Sequence, residues 1–148
     1  MVDFIDQKIE VGAHICFIRN ERGKPTFIKY GTVKKISEKS LDVEVEDGSI
    51  HKVMFSTSRY LDNTKQLKVV VIKDRPNREG NEKDISGYPI KVGDAVAFPE
   101  GVSNGSSRRF IKGTVSGLTQ KNVNIVSDET SYENARRTFD RVVVIESI

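Results

Sequence analysis

The chain has 148 residues, 30% of them charged and 36% hydrophobic, with a formal net charge of +3. That length admits one ordinary domain or two very small ones, and no apolar run approaches the ~20 residues a membrane helix needs. A single cysteine, Cys16, excludes a disulfide framework or a cysteine-built zinc site within one chain, and the N-terminus lacks the basic-then-apolar pattern of a secretory signal.

Residues 1–8 read as a short lead-in. Val11-Gly12 opens a turn into a predicted strand at 14–18, and the polar run Arg19-Asn20-Glu21-Arg22-Gly23-Lys24-Pro25 ends it. Residues 27–36 alternate as a second strand. Leu41-Asp42-Val43-Glu44-Val45 is strict alternation, the pattern of a half-buried strand. Asp47-Gly48 is a hairpin signal, so 49–53 is the returning strand. Residues 55–61 suit one helical turn, and Leu67-Lys68-Val69-Val70-Val71-Ile72 closes the unit. Residues 73–89 are almost purely polar around Asp74-Arg75-Pro76-Asn77-Arg78-Glu79-Gly80 and read as a linker.

The chain then repeats itself. Ile90-Lys91-Val92-Gly93-Asp94-Ala95-Val96-Ala97-Phe98 matches Ile9-Glu10-Val11-Gly12-Ala13-His14-Ile15-Cys16-Phe17 at an offset of 81. Gly113-Thr114-Val115 matches Gly31-Thr32-Val33 at 82, and Val142-Val143-Val144-Ile145 matches Val69-Val70-Val71-Ile72 at 73. Copies that stay in step mark a tandem duplication, and the change of offset places an insertion in a loop. The predicted strands of the second copy fall at 95–98, 110–118, 122–126, 130–132 and 141–146, with a helical turn over 133–140.

Five short strands in ~60 residues indicate a small β-barrel, because a sheet of that size leaves exposed edges unless it closes. The organisation read from the sequence is therefore all-β: one barrel over 9–72, a polar linker over 73–89 and a second barrel over 90–148. Units this small are near the lower limit for folding alone, so each is expected to lean on the other. Cys16, inside an apolar run, is expected to be an inert buried thiol, which suits the cytosol.

The motifs Gly93-Asp94-Ala95-Val96 and Gly113-Thr114-Val115, with Gly12-Ala13-His14-Ile15 and Gly31-Thr32-Val33 before them, resemble the KOW and Tudor branches of the SH3-like barrels. The first copy departs from the pattern, with Ala13 in the acidic position. The resemblance implies the fold more than the ligand, since such barrels bind DNA, RNA, methylated side chains or proteins. Size and tandem plan also resemble the MotB-type transcription modulators of T-even bacteriophages. That kinship implies a DNA-binding protein acting in the cytoplasm or nucleoid of an infected bacterium.

Catalysis is not expected. His14 and His51 are the only histidines, and no Ser/His/Asp set, phosphate loop or metal-spaced cluster is present. Gly101, Gly105, Gly113 and Gly117 precede no helix, so they make no phosphate cradle, and neither cofactor nor metal is implied. An aromatic cage for methyl-lysine could draw only on Tyr30, Tyr60 and Tyr132. Basic residues give the stronger signal. Arg19, Arg22, Lys24 and Lys29 surround the first long loop, and Arg108, Arg109 and Lys112 surround its counterpart. Lys34, Lys35 and Lys39 follow, echoed by Lys121, and Arg136-Arg137 precedes the last strand. Asn20, Asn104, Ser106 and Ser107 add hydrogen-bond donors. Cations at loop tips reach phosphates and release counterions on binding.

Double-stranded DNA is the expected partner, with RNA second and host or phage transcription proteins as protein partners; no membrane is implied. The rival reading is a protein-interaction adaptor using barrel grooves or sheet edges. A cation set gathered on one continuous face favours nucleic acid; cations scattered around both barrels favour the adaptor, and basic residues on a barrel can also be only a solvated surface.

Overall fold

The computed structural model describes residues 1–20, 26–54, 65–100, 109–127 and 134–147. The fold is all-β. The first sheet contains β1 (His14–Arg19), β2 (Phe27–Ile36), β3 (Ser40–Val45), β4 (Ile50–Met54) and β5 (Val69–Val71). The second contains β6 (Ala95–Pro99), β7 (Phe110–Leu118), β8 (Asn122–Val126), β9 (Ala135–Thr138) and β10 (Val143–Glu146). Both sheets are antiparallel and share one order, β4-β3-β2-β1-β5 and its counterpart β9-β8-β7-β6-β10. Even the irregularities repeat: β2 bulges against β3 between Val33 and Lys35, and β7 against β8 between Val115 and Gly117.

The Gly-Thr-Val motifs now have a packing cause. A Cβ on Gly31 would lie 2.5 Å from the Glu44 carbonyl oxygen and 2.7 Å from Val43. One on Gly113 would lie 2.5 Å from Ile125 and 2.9 Å from the Val126 carbonyl. Gly12 and Gly93 serve a different need, with φ of +92° and +99°. Each turns the chain so that its N–H reaches back to Val33 or Val115, at 2.8 and 2.9 Å.

Two corrections to the sequence reading follow. Residues 133–140 were expected to form a helical turn, but Ala135–Thr138 is a strand paired with β8, and only Phe139–Arg141 makes a 3-10 turn. Ala135 is buried under β8 and Arg136 faces water, so tertiary pairing overrides the helical propensity of this stretch. The fourth strand therefore lies after 130–132, which together with 55–61 falls outside the described residues. Second, the sheets do not close into hydrogen-bonded barrels. Among the described residues each ladder ends at β4 and β5, or at β9 and β10.

The free edge of β5 meets a side chain instead of a strand. Asp3, with no solvent exposure, accepts the Val71 N–H at 2.7 Å through Oδ2. Its Oδ1 accepts the N–H groups of Ile5 and Gln7 at 3.0 and 2.9 Å, which coils the lead-in into a tight loop. Gln7 Nε2 completes the cap by donating to Asp3 Oδ2 and to the Val71 carbonyl, at 2.8 and 2.9 Å. The second half repeats this device with Asp84. Its Oδ1 accepts from Ser86 N–H and Tyr88 N–H at 2.8 and 3.0 Å, and its Oδ2 from Val144 N–H at 2.7 Å. Asp84 stands 81 residues after Asp3, so the duplicated unit includes residues ahead of Ile9 and Ile90.

Where the first half uses Gln7, the second uses Arg75. Its guanidinium donates to the Val144 carbonyl at 2.7 Å and pairs with Asp84 at 3.4 Å. Arg78 binds both oxygens of buried Asp94 and the Pro89 carbonyl. Both guanidinium groups lie over the Tyr88 ring, at 4.0 and 4.8 Å from its centroid. The segment 73–89, read from sequence as a polar linker, is thus a strap along the second sheet.

Three apolar clusters result. Each sheet curls over its own, with Ile15, Phe17, Val33, Leu41 and Val43 in one and Val96, Phe98, Ile111, Val115 and Ile125 in the other. The third lies between the sheets: Cys16, Ile18, Ile28 and Val70 from the first, Ala97, Phe110 and Val143 from the second. β1 and β6 are buried on both faces, which is why they read as unbroken apolar runs.

Gly113→Ala is expected to cost ~1–3 kcal/mol of unfolding free energy through overpacking, whereas Gly117→Ala, whose Cβ would meet nothing closer than 3.6 Å, should be nearly neutral. Asp84→Ala strips three N–H groups of their acceptor and leaves Arg75 without its carboxylate, at an expected loss of ~3–5 kcal/mol. Urea denaturation of the three variants checks both expectations.

Candidate nucleic-acid interface

The two long connections between strands one and two start and end at the same end of the molecule. Ile18 N–H donates to the Lys68 carbonyl at 3.0 Å, and the adjacent Leu67 carbonyl accepts from Phe110 N–H at 2.8 Å. The end of β1 and the start of β7 are thereby tied through residues 67–68. From the other side, Arg141 Nε donates to the Thr26 carbonyl at 2.6 Å, beside the start of β2.

Two clefts open at this end. One, of about 310 Å³, is lined by Phe4, Ile5, Lys65, Leu67, Arg109, Phe110, Ile111 and Lys112. The other, of about 160 Å³, is lined by Phe17, Ile18, Arg19, Asn20, Lys52, Val53, Met54 and Lys68. Among the described residues neither lining contains an acidic residue, and each contains three cations. Three of these six have partners nearby: Arg109 with Glu100 at 3.1 Å, Lys65 with Asp6 at 3.3 Å and Lys52 with Asp42 at 3.9 Å. Exposed pairs of this kind contribute only ~0–1 kcal/mol, so an incoming phosphate can compete for these cations.

The sequence-predicted residues divide accordingly. Arg19, Arg109 and Lys112 are brought to this end. Arg22, Lys24 and Arg108 lie outside the described residues, as do Asn104, Ser106 and Ser107. Lys29 lines a different groove on the opposite flank of the shared core. Lys34 is exposed and 3.9 Å from Glu44, and Lys35 is exposed further along β2. Arg136 points to solvent from β9. Arg137 is turned inward: its guanidinium donates to the carbonyls of Pro99, at 3.1 and 3.0 Å, and Glu100, at 3.1 Å, and lies over the Phe98 ring. A guanidinium so occupied fastens β9 to the end of β6 and is a poor phosphate ligand.

Sequence reasoning missed Lys52, Lys65 and Lys68. Lys52 could have been found through the repeat, since it pairs with Asp42 on β3 as Arg136 pairs with Asn124 on β8. Lys65 and Lys68 flank the start of β5 with no distinguishing local signal.

Among the described residues no group of three or more His, Cys, Asp or Glu could hold a metal. Of the cage candidates, Tyr60 and Tyr132 fall outside the described residues, and Tyr30 is half-buried and stacked on His14 with centroids 6.1 Å apart. Burial pushes the Tyr30 phenol above its ordinary value, with the Cys16 thiol adding to the effect.

Residues 82–145 match the model of a domain of unknown function, DUF7205. The match takes in Asp84, its loop and the second sheet as far as Ile145 in β10, and leaves Arg75 and Arg78 outside. No curated protein matches the chain.

Cys16 is fully buried in the shared cluster, and desolvation, reinforced by the charge of Asp84, raises its thiol well above 9.0. The folded state thus keeps the thiol neutral at pH values where an unfolded chain would ionise it. Its contribution to stability should be constant below pH 9.0 and lost as pH climbs above it. Cys16→Ala copies the equivalent residue Ala97, and it should remove that part of the alkaline decline. Urea midpoints between about pH 8 and pH 10 check this; a parallel decline in both proteins would assign the effect elsewhere.

Proposed function

We propose that this chain is a non-catalytic DNA-binding protein that grips duplex phosphates with little dependence on base sequence, and so modulates transcription or DNA organisation. The observation that carries the reading is the gathering of Arg19, Lys52, Lys65, Lys68, Arg109 and Lys112 in two clefts whose described lining residues include no acid. Those clefts open where both long connections emerge, each of which carries further cations in its sequence. A set of cations on one end of a compact protein attracts a polyanion and releases its counterions.

The fold component of the proposal is a pair of SH3-like units of the KOW or Tudor kind. It is supported by a meander of short strands, occurring twice, whose fifth strand returns to pair with the first. Duplex DNA is preferred over RNA on the phage resemblance, and the site of action is then the bacterial cytoplasm or nucleoid. Phosphates are held by Lys and Arg.

Binding to a duplex of arbitrary sequence should weaken steeply between ~50 and ~200 mM salt. Lys65→Ala/Lys112→Ala should lower the slope of log K against log salt by roughly 2. Glu46→Gln, on the opposite flank, should leave the slope unchanged. Fluorescence anisotropy gives all three values, and absence of binding to duplex, single strand and RNA at the lower salt would sink the proposal.

A further inference from the structure

A second groove flanks the shared core at the position equivalent to the Lys65–Lys112 cleft. Phe27 and Tyr30 stand where that cleft has Arg109 and Lys112, 82 residues on, and Asp140 stands where it has Leu67, 73 residues back. Ile85 takes the place of Phe4. The groove holds about 470 Å³, and Glu46 and Asp47 join Asp140 among its lining residues. Duplication made two like grooves, and replacement then exchanged Arg109, Lys112 and Leu67 of one for Phe27, Tyr30 and Asp140 of the other, while the counterparts of Glu46 and Asp47, Asp128 and Glu129, lie outside the described residues.

The groove already accommodates a cation. Lys29 Nζ lies 5.6 Å from the centroid of the Phe27 ring, on the aromatic wall. This internal amine shows the contact a foreign lysine or arginine would make there. The Asp47 carboxylate is held in place by the Ser49 N–H and hydroxyl, at 2.9 and 2.5 Å. Asp140 is braced by the Thr138 hydroxyl at 2.5 Å.

We infer that this groove binds a basic polypeptide segment, with Lys or Arg stems lying on Phe27 and Tyr30 and their charged heads meeting Glu46, Asp47 and Asp140. A peptide fits better than a small cation because the wall is aromatic and the carboxylates lie around it. The inference goes beyond DNA binding and does not rest on it. A protein with both sites joins a polyanion at one groove to a basic protein at the other.

The test is a titration of the isotope-labelled full chain with a short Lys/Arg-rich peptide, followed by amide chemical shifts, with a Glu-rich peptide of equal length as control. Shifts should gather at residues 27–30, 46–47 and 140 with the basic peptide alone. Glu46→Gln/Asp140→Asn should weaken binding about tenfold with the thermal midpoint unchanged, and Lys65→Ala/Lys112→Ala should leave it intact. Shifts centred elsewhere, or equal affinity in the carboxylate variant, would overturn the inference. So would shifts at the same residues that grow with protein concentration before peptide is added, because a second copy would then fill the groove. Loss of DNA binding with peptide binding retained would separate failure of the first reading from failure of this one.

Discussion

A buried carboxylate holds the edge of each half. Asp3 and Asp84 take with Oδ2 the N–H of an edge strand that no other described strand covers, and with Oδ1 they coil the loop that precedes their own sheet. An ionised carboxylate removed from water is costly unless its lone pairs are filled. Here N–H groups fill them, together with Gln7 in one half and Arg75 in the other. The cap also blocks the edge to pairing by a foreign strand. The rest of the architecture follows: each sheet can stay open on that side because a side chain ends its ladder.

The two solutions differ in a way that bears on how the halves depend on one another. Gln7 lies inside the loop it caps, so the first half carries its own donor. Arg75 and Arg78 come from the strap between the sheets, so the second half draws its counter-charges from residues that follow β5 directly. The halves are joined again through the Cys16–Phe110–Val143 cluster, where exposed sheet backs would otherwise leave apolar surface in water. Neither sheet has its full set of buried contacts without the other.

The same pairing creates the surface on which function is proposed. Two like sheets set back to back leave two like grooves beside their contact, and the side chains lining them have diverged. Among the described residues one groove presents Lys65, Arg109 and Lys112, the other Glu46, Asp47 and Asp140 together with Lys29. Net charge, at +3, says little about this, because near-balance overall conceals separation in space.

Much of the fold was legible in the sequence. The Val-Gly openings, the Gly-Thr-Val strands and the alternation of Leu41 to Val45 are local patterns, and local backbone chemistry dictates them. The duplication was legible because packing positions recur in order along the chain. Its true start was not, because Asp3 and Asp84 sit among polar residues that resemble any loop, and what distinguishes them is an N–H 60 or 68 residues away. The strap was misread for the same reason, since Arg75 and Arg78 look solvated until their carboxylates are placed beside them. Arg137 and Arg136 are adjacent and chemically identical, yet only tertiary structure turns one to the Pro99 carbonyl and leaves the other in water. By itself the sequence determined the strands, their turns and their repetition, all of which depend on neighbours along the chain. Only the tertiary structure decided which charges are buried, which share a groove and which face apart, because those depend on neighbours in space.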